Sequence, residues 1–312
     1  MSDVVLIFSH YGYSAYLEYS LACARKTNPD ARLILLGDKF NADVAKRHGW
    51  EHYLFESFES EFHPRFLKVF RHIQGVKHDP TRNGRDWLKY VFERWLFIDA
   101  FITSRSIDRF WHFDSDTMVL QDLRQYETDL VWADFSVQCN NTCLNGIVSS
   151  DVVSEYCEHI CSLFEDIEFL SEQQLEFDTV NTNFAFTEMR AFDHYKKQTV
   201  RPWVHLLTYK ENVVFDDCIC QEHGFQMCTL QSGEIVKKLF AISGKIYGIR
   251  DGSRVEFITL NLSWVPDYVF NWVLNVTLSK IDTMIEAADC PTWLRIVILV
   301  KNVKRLLVNV FR

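Results

Sequence analysis

The chain opens on a continuous apolar run, Val4-Val5-Leu6-Ile7-Phe8, and repeats the pattern at Arg32-Leu33-Ile34-Leu35-Leu36. Apolar residues on consecutive rather than alternate positions predict strands of a parallel sheet covered on both faces. Between them Ser14 can cap a helix running to about Lys26, which Asn28-Pro29-Asp30 stops. His52 to Phe55 predicts a third, short strand. Glu56 to Asp86 is polar and aromatic, punctuated by Pro64, Gly75, Pro80 and Gly84, and predicts a loop-rich insertion. From Trp87 the period becomes helical. Leu88, Val91, Trp95, Ile98 and Ile102 form a core-facing stripe, with Arg85, Lys89, Glu93 and Arg94 on the other sides. Arg109 to Phe113 follows as an aromatic strand, and Leu130 to Ala133 and Cys143 to Val148 predict two more. Ser149-Ser150-Asp151 caps a helix through about Phe164, Glu165 to Asp178 reads as a solvated acidic connection, and Val255 to Leu262 as a late strand.

The strongest chemistry lies where the aromatic strand ends, at Trp111-His112-Phe113-Asp114-Ser115-Asp116. Asp114 falls at the carboxyl end of its strand, the edge at which open α/β sheets bind ligands. Two carboxylates this close repel unless one is protonated or a cation sits with them. Mg²⁺ and Mn²⁺ are suited to that place, since they take oxygen ligands and bridge to substrate phosphates. The plain alternative is a surface turn, for which Asp and Ser are favoured residues. Ser9, His10 and Tyr11 follow the first strand and Asp38 the second, where they would hold base and ribose; Asp38 reads equally well as a turn residue. Neither a Gly-x-Gly-x-x-Gly nor a phosphate-binding Gly-rich loop follows the first strand. Arg94 or Lys89 could neutralise phosphate charge, against the alternative of a solvated helix face with Lys89 paired to Glu93. Phe184 to Met189 sets the Glu188 carboxylate beside an apolar run, and turn chemistry accounts for Asp216-Asp217.

Length and composition narrow the class. At 312 residues the chain can bury a large core, and its net charge of −9 argues against nucleic acid as a partner. Val4 to Phe8 lacks a basic flank and is too short for a secretory core, and no apolar stretch spans a bilayer. Nine cysteines without a zinc pattern suggest reduced, buried thiols, so the expectation is a cytoplasmic protein. Past Cys290 there are basic but no acidic residues. Pro291 suits a first helical turn, after which Trp293, Ile296, Val297, Val300, Val303, Leu307 and Val310 share one face. That basic amphipathic pattern over 291–312 predicts either a peripheral membrane-surface helix or one packed on its own domain.

Taken together, Val4 to Phe8, Leu35-Leu36-Gly37-Asp38, Arg94-Trp95, Phe113-Asp114-Ser115-Asp116, Leu144-Asn145-Gly146-Ile147 and Glu188-Met189 resemble, in order, a GT-A-fold glycosyltransferase of the nucleotide-diphospho-sugar transferase superfamily. The resemblance covers residues 1–262. It implies a GT-A-like, Rossmann-like α/β domain, a mixed sheet flanked by helices, with residues 263–312 as a C-terminal helical appendage. It also implies Mn²⁺ or Mg²⁺ held by Asp116, with Asp114 on ribose or metal. Ser9, His10, Tyr11, Asp38, Arg94, Asp114, Ser115 and Asn145 would contact the nucleotide sugar, a UDP-sugar donor. Where relatives often supply a late His as a further metal ligand, this chain carries Asn261. The activity implied is transfer of a sugar to a hydroxyl of a glycan or lipid-linked acceptor, with Glu188 as the candidate base. Two other readings compete: a catalytically silent nucleotide-binding or membrane scaffold, and a phosphohydrolase with an Asp nucleophile. The latter fits less well, since Met118 stands where such enzymes carry Thr or Val. A sugar nucleotidyltransferase lacks its Gly-rich basic loop here.

Overall fold

The computed structural model describes residues 4–82 and 85–285. They divide into two compact units, which exchange the chain several times along its length. Among the described residues the first comprises 4–13, 30–82, 85–114 and 123–205, and the second 14–29, 115–122 and 206–285. Position 262 lies inside the second unit.

The first unit is a mixed seven-stranded sheet with helices packed on it, the α/β architecture expected from the sequence. Its strands run in the order Trp203–His205, Phe135–Gln138, Cys143–Ser149, Arg109–Asp114, Val5–Ser9, Arg32–Gly37, Glu51–Leu54. Only Cys143–Ser149 is antiparallel to its neighbours. Val5–Ser9 lies between two parallel partners and is apolar throughout because both its faces are covered. The register sets Ser9 opposite Asp114, so both end at the same edge. Helix Trp87–Ser104 is capped by Asp86, whose Oδ1 accepts from Lys89 N at 2.9 Å. Its predicted stripe is buried, together with Tyr90, Phe92, Leu96 and Phe101. Helices Ser150–Glu165 and Glu188–Gln198 complete that core. Gly37 is required by a close approach. A Cβ there would lie 2.1 Å from Asn41 Oδ1, and Asn41 Nδ2 donates to the carbonyls of His10 and Gly12.

The second unit holds the late strand, found at Ser253–Asn261, between Val213–Phe215 and the meander Lys245–Arg250, Phe240–Ile242, Thr283–Met284. Thr117–Val119 pairs antiparallel with it, Thr117 opposite Asn261. Helices Leu17–Thr27 and Asp267–Ser279 belong to this unit, with Tyr16 stacked on Phe270 at 5.1 Å.

Several expectations are corrected. Leu130 to Ala133 is not a strand: it ends helix Arg124–Leu130, with Val131 and Trp132 exposed, and the strand begins at Phe135. Hydrophobicity alone misplaced it. Glu165 to Asp178 is a helix, Ile167–Thr179, capped by Asp166 and anchored through Leu170 and Phe177, seven residues apart. Ser14 is not the cap of the first helix, which starts at Leu17 after a turn. The insertion after Glu56 contains a helix, His63–Val69. The eight described cysteines are free. The predicted tail helix, 291–312, lies outside the described residues.

Candidate functional site

Three ionisable groups that lie far apart in sequence meet in the first unit. Arg94 Nη1 donates to Asp114 Oδ1 at 2.7 Å, and Nη2 to Glu188 Oε1 at 3.2 Å. The side chains of Arg94, Asp114 and Glu188 keep only 9, 26 and 13% of their exposure. Each comes from a different element: the middle of helix Trp87–Ser104, the end of strand Arg109–Asp114, and the first residue of helix Glu188–Gln198. The second oxygen of Asp114 accepts from Asn145 Nδ2 at 3.3 Å. That orients the amide so that Oδ1 faces His112 Nδ1 at 3.2 Å, which makes Nδ1 the protonated nitrogen. Tyr156 OH donates to the Glu188 carbonyl at 2.7 Å and fixes the start of its helix.

Burial disfavours every charge here, and the partners decide which survive. For Asp114, burial is outweighed by Arg94, His112 and the hydrogen bonds from Arg94 and Asn145, so its pKa is lowered. Glu188 receives less compensation. Burial pushes it up to about 7, Arg94 opposing and Asp114 adding to the rise. One guanidinium faces two carboxylates, and near neutrality Glu188 is the one able to hold or release a proton. Burial also lowers His112 to about 4, with Arg94 adding to the effect, so it stays neutral. A narrow cleft of about 10 Å³ adjoins Arg94, Cys143, Tyr156, Glu188 and Met189.

The predicted nucleotide-binding residues divide. Ser9 is buried beside Asp114, and its hydroxyl has no protein hydrogen-bond partner. Such a group in a folded chain calls for a partner from outside it. His10 is buried, with its pKa lowered to about 4 by that burial. Tyr11 stacks on Tyr90, centroids 4.9 Å apart, and keeps a third of its surface. Asp38 accepts from Gly12 N and Phe40 N at 2.8 and 2.9 Å, holding the loop that carries these residues.

Within the second unit, Asp116 and Asn261 are gathered by Ser263. Ser263 Oγ donates to Asp116 Oδ2 at 2.8 Å and Ser263 N to Asn261 Oδ1 at 3.0 Å. Ser115 Oγ lies 3.3 Å from Tyr16 OH. The described residues contain no group of three His, Cys, Asp or Glu side chains arranged to cage a metal. The oxygens of this carboxylate and this carboxamide are hard donors, of the type that Mg²⁺ and Mn²⁺ prefer.

Sequence reasoning passed over His112, Asn145's orienting role and Tyr156; only the apolar context of His112 signalled burial. It also misjudged Asp216-Asp217 as a turn. Both are fully buried, and the equally buried Lys237 Nζ lies 2.6 Å from Asp216 Oδ1 and from the Cys218 carbonyl. Arg94, first weighed against a solvated face, is internal, whereas Lys89 does pair with Glu93 at 3.0 Å.

No family model matches the chain, and no curated protein does. Among solved structures it is similar to mouse xyloside xylosyltransferase 1 in its apo form, with 12% identity over 65% of this chain and 84% of that one, TM-score 0.41. It is similar also to the PaToxG glycosyltransferase, with 10% identity over 63% and 74%, TM-score 0.35. A third likeness is to a cytidylyltransferase from Leptospira borgpetersenii, with 11% identity over 63% and 94%, TM-score 0.32. At these scores the likeness is remote, and the case for function rests on the residues.

Proposed function

We propose that the chain is a metal-dependent glycosyltransferase that moves a sugar from a nucleotide-diphospho-sugar, a UDP-sugar, to the hydroxyl of a glycan or lipid-linked acceptor. The observation that carries this reading is the convergence of Arg94, Asp114 and Glu188 at the edge where strand Arg109–Asp114 ends. Arg94 keeps Asp114 ionised and in one rotamer, so that it can accept from ribose hydroxyls. Ser9 offers its buried hydroxyl beside it, and Tyr11 an aromatic face for the base.

Glu188 is the proposed base. It takes the proton of the acceptor hydroxyl as that oxygen attacks the anomeric carbon, and the bond from that carbon to the diphosphate oxygen breaks with its electron pair on the diphosphate. The configuration inverts. A base is most effective when its pKa lies near the working pH, which is where burial puts Glu188. Asp116 and Asn261 would hold Mn²⁺ or Mg²⁺, which, when bound, supplies positive charge for the departing diphosphate.

The phosphohydrolase reading needs Asp114 as a free nucleophile, whereas both its oxygens are engaged, one by Arg94 and one by Asn145. The purified chain, offered a panel of nucleotide sugars with and without Mn²⁺, should release nucleoside diphosphate from one of them. Tight nucleotide binding without release from any donor would instead support the silent scaffold.

A further inference from the structure

A pair of reactive side chains that sugar transfer does not use lies in the second unit, at Cys218-Ile219-Cys220. Gln221 N donates to the Cys218 carbonyl at 3.1 Å, so both cysteines belong to one tight turn. Two residues apart in such a turn, Cα atoms are on the order of 5–6 Å from each other, within the span of a disulfide. The two side chains are hydrogen-bonded to each other, and both are free thiols. The turn is held from two sides. Ile219 N donates to the Asn261 carbonyl at 2.9 Å, and the Ile219 carbonyl accepts from Lys237 N at 2.8 Å. Lys237 Nζ also reaches the Cys218 carbonyl at 2.6 Å.

The two sulfurs are not equivalent. Cys218 Sγ accepts from the Cys220 thiol, and this bond, against the cost of burial and with help from the Cys220 backbone N–H, holds its pKa below the usual thiol value. Cys220 is the donor, which pushes its own pKa up, and it is the more exposed of the two. A thiolate is the nucleophile in thiol oxidation, and a neighbouring thiol resolves the product. Cys139 and Cys143 are hydrogen-bonded too. There, despite the bond from Cys139, burial and the carboxylates of Asp114 and Glu188 push the Cys143 thiol up, so it is a poor nucleophile.

We propose that Cys218 and Cys220 are a redox-modification site at which a hydroperoxide closes a disulfide. The Cys218 sulfur attacks the distal peroxide oxygen, the O–O bond breaks, and the departing alkoxide takes up the proton that Cys218 had lost. Cys218 is then a sulfenic acid. The Cys220 sulfur attacks it, the S–O bond breaks, and hydroxide leaves as water with the Cys220 proton. The pair loses two hydrogens, and the hydroperoxide is reduced to an alcohol and water. The bond reaches further than the turn. Cys220 Sγ lies 3.7 Å from the carbonyl oxygen of Ser263, the residue that gathers Asp116 and Asn261. Closure removes that donor and draws Ile219 on its bond to Asn261. This consequence rests on the metal-binding reading, whereas the disulfide does not.

The test exposes the reduced full chain to hydrogen peroxide and maps its thiols by mass spectrometry. The tryptic fragment 211–237 should lose two hydrogens, with the bond located between Cys218 and Cys220, and dithiothreitol should restore it. Cys228→Ser, in the same fragment, should leave that result unchanged. Cys220→Ser should instead strand Cys218 as a sulfenic acid that dimedone labels, and Cys218→Ser should prevent both. Thermal melting checks that each variant folds. Peroxide that leaves the native pair reduced, or joins either sulfur to another cysteine, overturns the proposal. Calorimetric titration with Mn²⁺ in the presence of uridine diphosphate separates the consequence from the chemistry. Changes beside a metal's ligands cost about 10–100-fold in affinity, so the oxidised chain should bind Mn²⁺ at least about tenfold more weakly, and reduction should recover it. Equal affinity in both forms removes the link to Asp116 and leaves the disulfide standing. Absence of Mn²⁺ binding by either form counts against the metal reading alone.

Discussion

Arg94 and Asp114 form a buried ion pair, Nη1 to Oδ1 at 2.7 Å, and the same guanidinium reaches Glu188 through Nη2. One cation therefore stands between two carboxylates that would otherwise repel each other in a poorly solvated place. Arg94→Met leaves both acids without their counter-ion. Removing one partner of a buried pair costs on the order of 3–5 kcal/mol, and urea unfolding of the variant should show a loss of that size. Arg94→Lys should recover only part, because an ammonium does not present two forked donors.

Glu188 controls the rate if it is the base. With its pKa pushed up to about 7, kcat/KM should rise with pH through neutrality and level above it. Glu188→Gln should lower kcat by roughly 10²–10⁴ with the donor KM little changed. A flat pH–rate profile across neutrality, or an unimpaired Gln variant, removes Glu188 from that role.

The same group shapes stability. Its folded pKa is raised, so its contribution is full below the unfolded value and is lost as pH rises through about 7. His10 and His112 act in the opposite sense. Burial lowers both to about 4, so their contribution is present above the unfolded value of 6.5 and is lost as pH falls toward 4. In melting experiments Glu188→Gln should therefore lose stability more steeply than the native chain between pH 7 and pH 4.5.

Lys237 and Asp216 are each fully buried. Lys237→Met should cost about 3–5 kcal/mol by stranding Asp216, while Lys237→Met with Asp216→Leu should recover much of it. A double-mutant cycle in urea measures the coupling. An additive pair would mean the ion pair contributes nothing beyond its atoms.

Asp116→Asn retains an acceptor for Ser263 Oγ but loses the charge that attracts a divalent ion. Calorimetric titration should show nucleotide-dependent Mn²⁺ binding abolished at unchanged melting temperature. Full, Mn²⁺-dependent transfer by the variant rules out Asp116 as a ligand.

Local pattern alone determined the buried strands Val5–Ser9 and Arg32–Gly37, the helix Trp87–Ser104 and the placing of Asp114 at a strand end. Continuous apolar runs and a helical stripe have few other ways to be buried. Helix Ile167–Thr179 escaped notice because its anchors, Leu170 and Phe177, are sparse among acidic residues. Packing had to supply the rest of its stability. The charged partners were not legible for a different reason. Asp216 with Lys237 and Arg94 with Glu188 are separated by 21 and 94 residues, and a carboxylate in sequence looks the same whether it faces water or a guanidinium. Local spacing decides which residues form an element. Only the packing of strand end against helix decides which charges lose their water, and that loss sets Glu188 near neutrality while Asp114 stays ionised.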